Sequence, residues 1–140
     1  MMQIKYREGY KYQLAEPYEH WIDLRPQVAI TDDFISLDVD GHLILHKGYA
    51  TDGPSGPTVD SDDFIRAAFV HDAGYQLIRN GHLPMDTRAY WDRLLYTICR
   101  EDGMSAFRAW YVHKAVAGFG WVAAKEERPV KTAPKSVMRC

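Results

Sequence analysis

His71, Asp72 and Tyr75 lie within five residues of one another, and Asp92 follows at the level of the next helical pattern. On a helix, residues four apart sit one above the other, so His71 and Tyr75 share a face while Asp72 points about 100° around the axis. A carboxylate opposite an imidazole fixes its tautomer, leaves the second ring nitrogen free to accept a proton, and stabilises the imidazolium that results. That is how a water is activated. The candidate catalytic residues are therefore His71 as base, Asp92 as its orienting carboxylate, and Tyr75 as a ring whose hydroxyl braces the pair. Asp72, aimed elsewhere, can hold a hard cation together with backbone carbonyls of a glycine-bearing loop. Thr51 to Pro57 is such a loop, just upstream. The same residues have a purely structural reading. A histidine and an aspartate on facing helices also form satisfied core pairs, and a Gly-Pro segment also serves as a simple strand-to-helix turn.

These side chains need elements to position them. Residues 3 to 50 read as strands: Tyr10 to Leu14 and Trp21 to Leu24 alternate, with Pro17 and Pro26 as separators. Phe34 to Val39, Asp40-Gly41 and His42 to His46 form the clearest hairpin signal. From Asp62 the period changes. Phe64, Ala67, Ala68, His71, Tyr75 and Ile78 describe one face of an amphipathic helix ended by Asn80-Gly81. Asp86 is expected to cap a second helix with Ala89, Asp92, Tyr96 and Cys99 inward, closed by Gly103. Ser105 caps a third, Ala106 to about Ala117, ended by Gly118 and Gly120. His71 lies nine residues before Asn80 and Asp92 six after Asp86, so an antiparallel helical hairpin brings them within about 4.5 Å of the same level. The expectation is an α+β fold: a small N-terminal antiparallel sheet packed on a helical hairpin plus a third helix, with 1–124 as one domain and 125–140 as a disordered basic tail.

Composition removes several classes. A chain of 140 residues with 46% hydrophobic content can close one core, and a net charge of −2 with scattered Lys and Arg offers no nucleic-acid footprint. No apolar run approaches the roughly 18 residues of a membrane span, and Cys99 and Cys140 make no disulfide framework. No signal-peptide core opens the chain, so synthesis in the cytosol is expected. His42 and His46 point to one side of a strand but have no partner at zinc spacing, and Trp110 with His113 reads as packing. Nucleophile elbow, phosphate loop and dinucleotide fingerprint are all missing from the sequence.

Two resemblances follow from these motifs. Gly48-Tyr49-Ala50-Thr51-Asp52-Gly53-Pro54-Ser55, then Arg66-Ala67-Ala68-Phe69-Val70-His71-Asp72, and a third helix near Phe119-Gly120 resemble the phage and prophage family known as domain of unknown function 1353. That likeness spans roughly 45 to 122 and implies a phage or prophage origin. The arrangement His71-Asp72-x-x-Tyr75 with Asp92 resembles phospholipase A2, including its small prokaryotic and parvoviral forms. The second resemblance implies that His71 is the base, Asp92 the orienting carboxylate and Tyr75 a brace, with calcium as the cofactor, held by Asp72 and by Asp52, Gly53 and Gly56 of the loop. Pro54 and Ser55 stand where that family has a Gly-x-Gly loop, and the disulfides of its secreted members have no counterpart. The expected function is a phage-encoded, calcium-using hydrolase of phospholipid esters, acting in the periplasm, at lysis or in a virion. The alternative is a non-catalytic phage protein that binds a virion component or host factor, with the motif as a structural brace.

Overall fold

The computed structural model describes residues 4, 6–7, 12–51 and 62–125. The fold is α+β, with antiparallel strands first and three helices after them. The strands fall in one compact unit and the helices in another.

In the strand unit, β1 (Tyr6–Arg7), β2 (Tyr12–Leu14) and β7 (Ala50–Thr51) form a three-stranded sheet in the order β1-β2-β7. A second sheet has the order β3-β6-β5-β4, from β3 (Tyr18–Trp21), β4 (Ile30–Thr31), β5 (Ile35–Leu37) and β6 (His42–Leu45). The expected hairpin is β5–β6, in the register Leu37 opposite Leu43 and Ile35 opposite Leu45. All four side chains are fully buried, while Ser36, His42 and Ile44 alternate to the other face. The turn is held by the Asp38 carboxylate, which accepts the backbone N–H groups of Asp40 and His42 at 2.9 and 3.0 Å. The bond from His42 is the main reason its pKa lies below the usual carboxylate value. Gly41 is required here. It has φ +87°, and a Cβ would lie 2.2 Å from the Ile22 carbonyl oxygen.

One strand is displaced from its expected place. The alternation at Trp21 to Leu24 is real in burial, yet the ladder runs from Tyr18 to Trp21. Pairing decides this: Tyr18 sits opposite Leu45 and Trp21 opposite His42, where β6 begins, so no partner strand remains for Asp23 and Leu24. His42 opens β6 while His46 lies just past its end at Leu45, and each is otherwise engaged. His42 Nε2 meets Glu19 Oε1 at 2.6 Å, and His46 Nε2 meets the Ser36 hydroxyl at 2.8 Å.

The helical unit comprises α1 (Asp62–Arg79), a 3-10 turn (Met85–Thr87), α2 (Arg88–Glu101) and α3 (Ala106–Lys125). Both glycine stops act as left-handed caps. His82 N–H bonds Leu77 O at 2.9 Å and Gly81 N–H bonds Ile78 O at 3.0 Å, and Met104 and Gly103 repeat the pattern on Cys99 and Arg100. Ser105 caps α3 through Oγ, which accepts the Arg108 N–H at 3.2 Å.

Four expectations are corrected here. Asp86 does not cap α2. It lies exposed in the 3-10 turn; Thr87 is the cap residue, and its hydroxyl donates to Pro84 O instead of accepting from the helix. The inward face of α2 is Trp91, Asp92, Leu95, Ile98 and Cys99, with Ala89 exposed and Tyr96 half-buried. Here Trp91 outweighs Ala89 because a large ring gains far more from burial than a methyl group. α1 is buried beyond one stripe, since Phe69, Val70 and Leu77 are covered as well. Finally, α3 continues through Gly118 and Gly120 to Lys125. Gly118 is not among the residues of positive φ, and inside a run of helix formers a glycine costs only about 1 kcal/mol. The expected tail beyond Lys125 lies outside the described residues.

A buried arginine ties the helices together. Arg66 of α1, 3% exposed, donates from Nε and Nη2 to the two oxygens of Asp102 at 3.1 and 3.0 Å. Its Nη2 also reaches Glu101 Oε1 at 2.7 Å, so the C-terminal end of α2 is held against α1. Arg108 and Asp63, 3.5 Å apart, join the starts of α3 and α1.

Candidate functional site

The antiparallel pairing of α1 and α2 brings His71, Tyr75 and Asp92 together. His71 Nε2 lies 2.7 Å from Asp92 Oδ1, with no room for an intervening water. The Tyr75 hydroxyl donates to the same oxygen at 2.6 Å. The spacing of four residues on α1 sets the two rings 4.3 Å apart between centroids and tilted by 37°, so both reach one carboxylate from the same face. All three residues are buried, Asp92 most completely at 2% exposure.

Arg88 completes the cluster, and the sequence reading missed it. Its Nη1 approaches Asp92 Oδ2 at 3.4 Å and the Ala117 carbonyl of α3 at 3.5 Å. The signal was legible: Arg88 stands four residues before Asp92 on the same helix, the spacing at which side chains meet.

Electrostatics follow from these contacts. Burial alone raises the Asp92 pKa, but hydrogen bonds from His71 and Tyr75 and the charges of His71 and Arg88 outweigh it, leaving the carboxyl below its ordinary value. Tyr75 moves strongly upward, through burial first and the bond to anionic Asp92 second. Asp92 is thus ionised and Tyr75 neutral across the physiological range. A carboxylate on Nε2 places the ring proton there in the neutral imidazole, so Nδ1 carries the lone pair. No described residue bonds Nδ1.

The pH dependence of stability follows by linkage. Because the folded pKa of Asp92 is depressed, its contribution is complete above about pH 4 and is lost as pH falls through the folded value. Because that of Tyr75 is raised, its contribution is complete below about pH 10 and declines above it, where the unfolded phenol ionises and the folded one does not. Melting temperatures across a pH series should fall at both ends. Tyr75→Phe should flatten the alkaline limb; an unchanged alkaline limb would show that Tyr75 is not held protonated by Asp92.

Asp72 is half-buried next to this cluster. Its carboxylate is the hard oxygen donor that calcium takes. The other expected ligands, Asp52, Gly53 and Gly56, lie outside the described residues, and among the described residues no group of three or more His, Cys, Asp or Glu is gathered as a metal site. His113, expected as packing with Trp110, sits on α3 edge-on to Tyr96 with 6.3 Å between centroids. Burial lowers its pKa, against the opposing pull of Asp92. Trp110 does not share that packing and is 51% exposed. Among the described residues, no helix is long and apolar enough to cross a membrane.

No protein-family model, curated protein or solved structure matches this chain.

Proposed function

We propose that this protein is a phage-encoded hydrolase of phospholipase A2 type, cleaving a carboxylic ester of a phospholipid. The observation that supports this is the arrangement on Asp92: one carboxylate holds His71 by Nε2 while Tyr75 fixes the same oxygen. In this reading His71 Nδ1 takes a proton from water as the water oxygen bonds to the ester carbonyl carbon. The tetrahedral intermediate then expels the alkoxide, which receives that proton from the imidazolium, and the products are a fatty acid and a lysophospholipid. Asp92 stabilises the imidazolium between the two transfers, and Tyr75 and Arg88 keep its carboxylate from turning. Asp72 with the carbonyls of the Asp52 to Gly56 loop would hold calcium, which when bound polarises the carbonyl and the phosphate.

Fatty-acid release from phospholipid, measured with calcium and with chelator, is the direct test. Activity should appear with calcium and disappear with chelator. Asp72→Asn should weaken calcium binding and activity together, by roughly tenfold or more. Wild-type protein that releases no fatty acid in either condition ends this reading.

A second reading has its own observation. Asp92 is almost wholly enclosed and carries three partners, His71, Tyr75 and Arg88, so the cluster satisfies itself as a core brace needs to. On that reading the protein is a non-catalytic phage component that binds a virion or host protein.

A further inference from the structure

We infer that the exposed face of α3 is a docking surface for an anionic lipid bilayer. Among the described residues, Phe107, Trp110 and Tyr111 are 77%, 51% and 45% exposed, and they recur at i, i+3 and i+4. That spacing puts all three on one side of the helix, with the Phe107 and Trp110 rings 6.3 Å apart. Lys114, exposed, lies three residues beyond Tyr111 and four beyond Trp110, on the same side. The opposite side is inward: Ala109 and Val112 are buried.

Charge selects the occupant. α3 contains Lys114, Lys125 and Arg108, the last already paired with Asp63 of α1, and not one Asp or Glu. The sequence after it adds Arg128, Lys131, Lys135 and Arg139 against Glu126 and Glu127. Phe, Trp and Tyr beside lysine, on a helix without acids, is the composition that rests in a headgroup layer: the rings enter the acyl boundary, and the ammonium meets phosphate. A second copy of the chain fits less well. It would set one acid-free basic face against another, and three partly exposed rings offer less than the roughly 800 Å² per partner of a stable interface.

The inference deepens the phospholipid reading, since it supplies the contact by which an aggregated substrate is met, but its test does not depend on catalysis. Wild-type protein should co-sediment with vesicles of phosphatidylglycerol and phosphatidylcholine, weakly with phosphatidylcholine alone, and less at high salt. The Phe107→Ala, Trp110→Ala, Tyr111→Ser triple variant should lose roughly tenfold or more of its vesicle affinity, and Lys114→Gln about fivefold. These side chains are exposed, so melting curves should match wild type; a variant that fails this check is replaced by Phe107→Ser alone. His71→Gln should bind vesicles as wild type does. Binding without hydrolysis would leave the docking surface standing and remove the hydrolase reading. No wild-type binding, binding unaffected by the triple variant, or a wild-type dimer that the triple variant abolishes would each overturn the inference.

Discussion

His71→Gln should reduce fatty-acid release from phospholipid by at least about a hundredfold while leaving the fold nearly intact. The glutamine amide can occupy the position of Nε2 and donate to Asp92 Oδ1, so the contact now made at 2.7 Å survives in kind. What it cannot supply is a basic atom where Nδ1 stands, and without that acceptor the attacking water keeps its proton. The second reading expects the opposite balance. A brace loses stability when its imidazole is exchanged, by about 1–3 kcal/mol, and has no turnover to lose. Initial rates and melting curves measured on the same preparations separate the two outcomes. Asp92→Asn serves as the contrast, because it removes the charge that His71, Tyr75 and Arg88 all address; it should lower both activity and melting temperature.

Gly74→Ala should be the most damaging conservative change in the helical unit. A Cβ at this position would lie 2.0 Å from Cδ2 of the Trp91 ring, with Cε3 and Cε2 at 2.4 and 2.5 Å. Trp91 is 0% exposed, so its ring has nowhere to retreat and the two helices must part. The expected cost is about 3 kcal/mol or more, read as a fall in melting temperature of roughly 10 °C or more. Trp91→Phe should relieve part of this, since it removes ring volume from the clash and also the buried indole N–H, which has no partner among the described residues. The double variant should therefore be less destabilised than the two single changes summed. A Gly74→Ala protein that melts with wild type would show that α1 and α2 do not approach so closely. Gly74 lies between Asp72 and Tyr75, so the close approach it permits is also what lets His71 and Tyr75 reach Asp92.

Much of the site could be read from the chain because its determinants are local. Four residues between His71 and Tyr75 set a shared face on any helix, and Gly81 and Gly103 end α1 and α2 with left-handed caps that only short-range geometry requires. The levelling of His71 with Asp92 needed one further assumption, a tight antiparallel hairpin, and the short turn supplied it. The β5–β6 hairpin is legible for the same reason, since Asp38 and Gly41 close the turn within themselves.

Other features depend on partners that no local pattern names. Trp91 rather than Ala89 turns inward because Gly74, on another helix, leaves space for an indole. Arg66 looks like any helical arginine until α2 ends beside it and offers Asp102 and Glu101. β3 stops at Trp21 because β6 starts at His42, although the alternation in its own sequence continues. α3 passes through two glycines because no left-handed cap forms at Gly118, and glycine alone only weakens a helix. The sequence by itself therefore determined which side chains can share a face and where most helices end. Tertiary structure decided which faces are buried and which charges are paired, because burial and ion pairing belong to surfaces that meet only when the chain has closed.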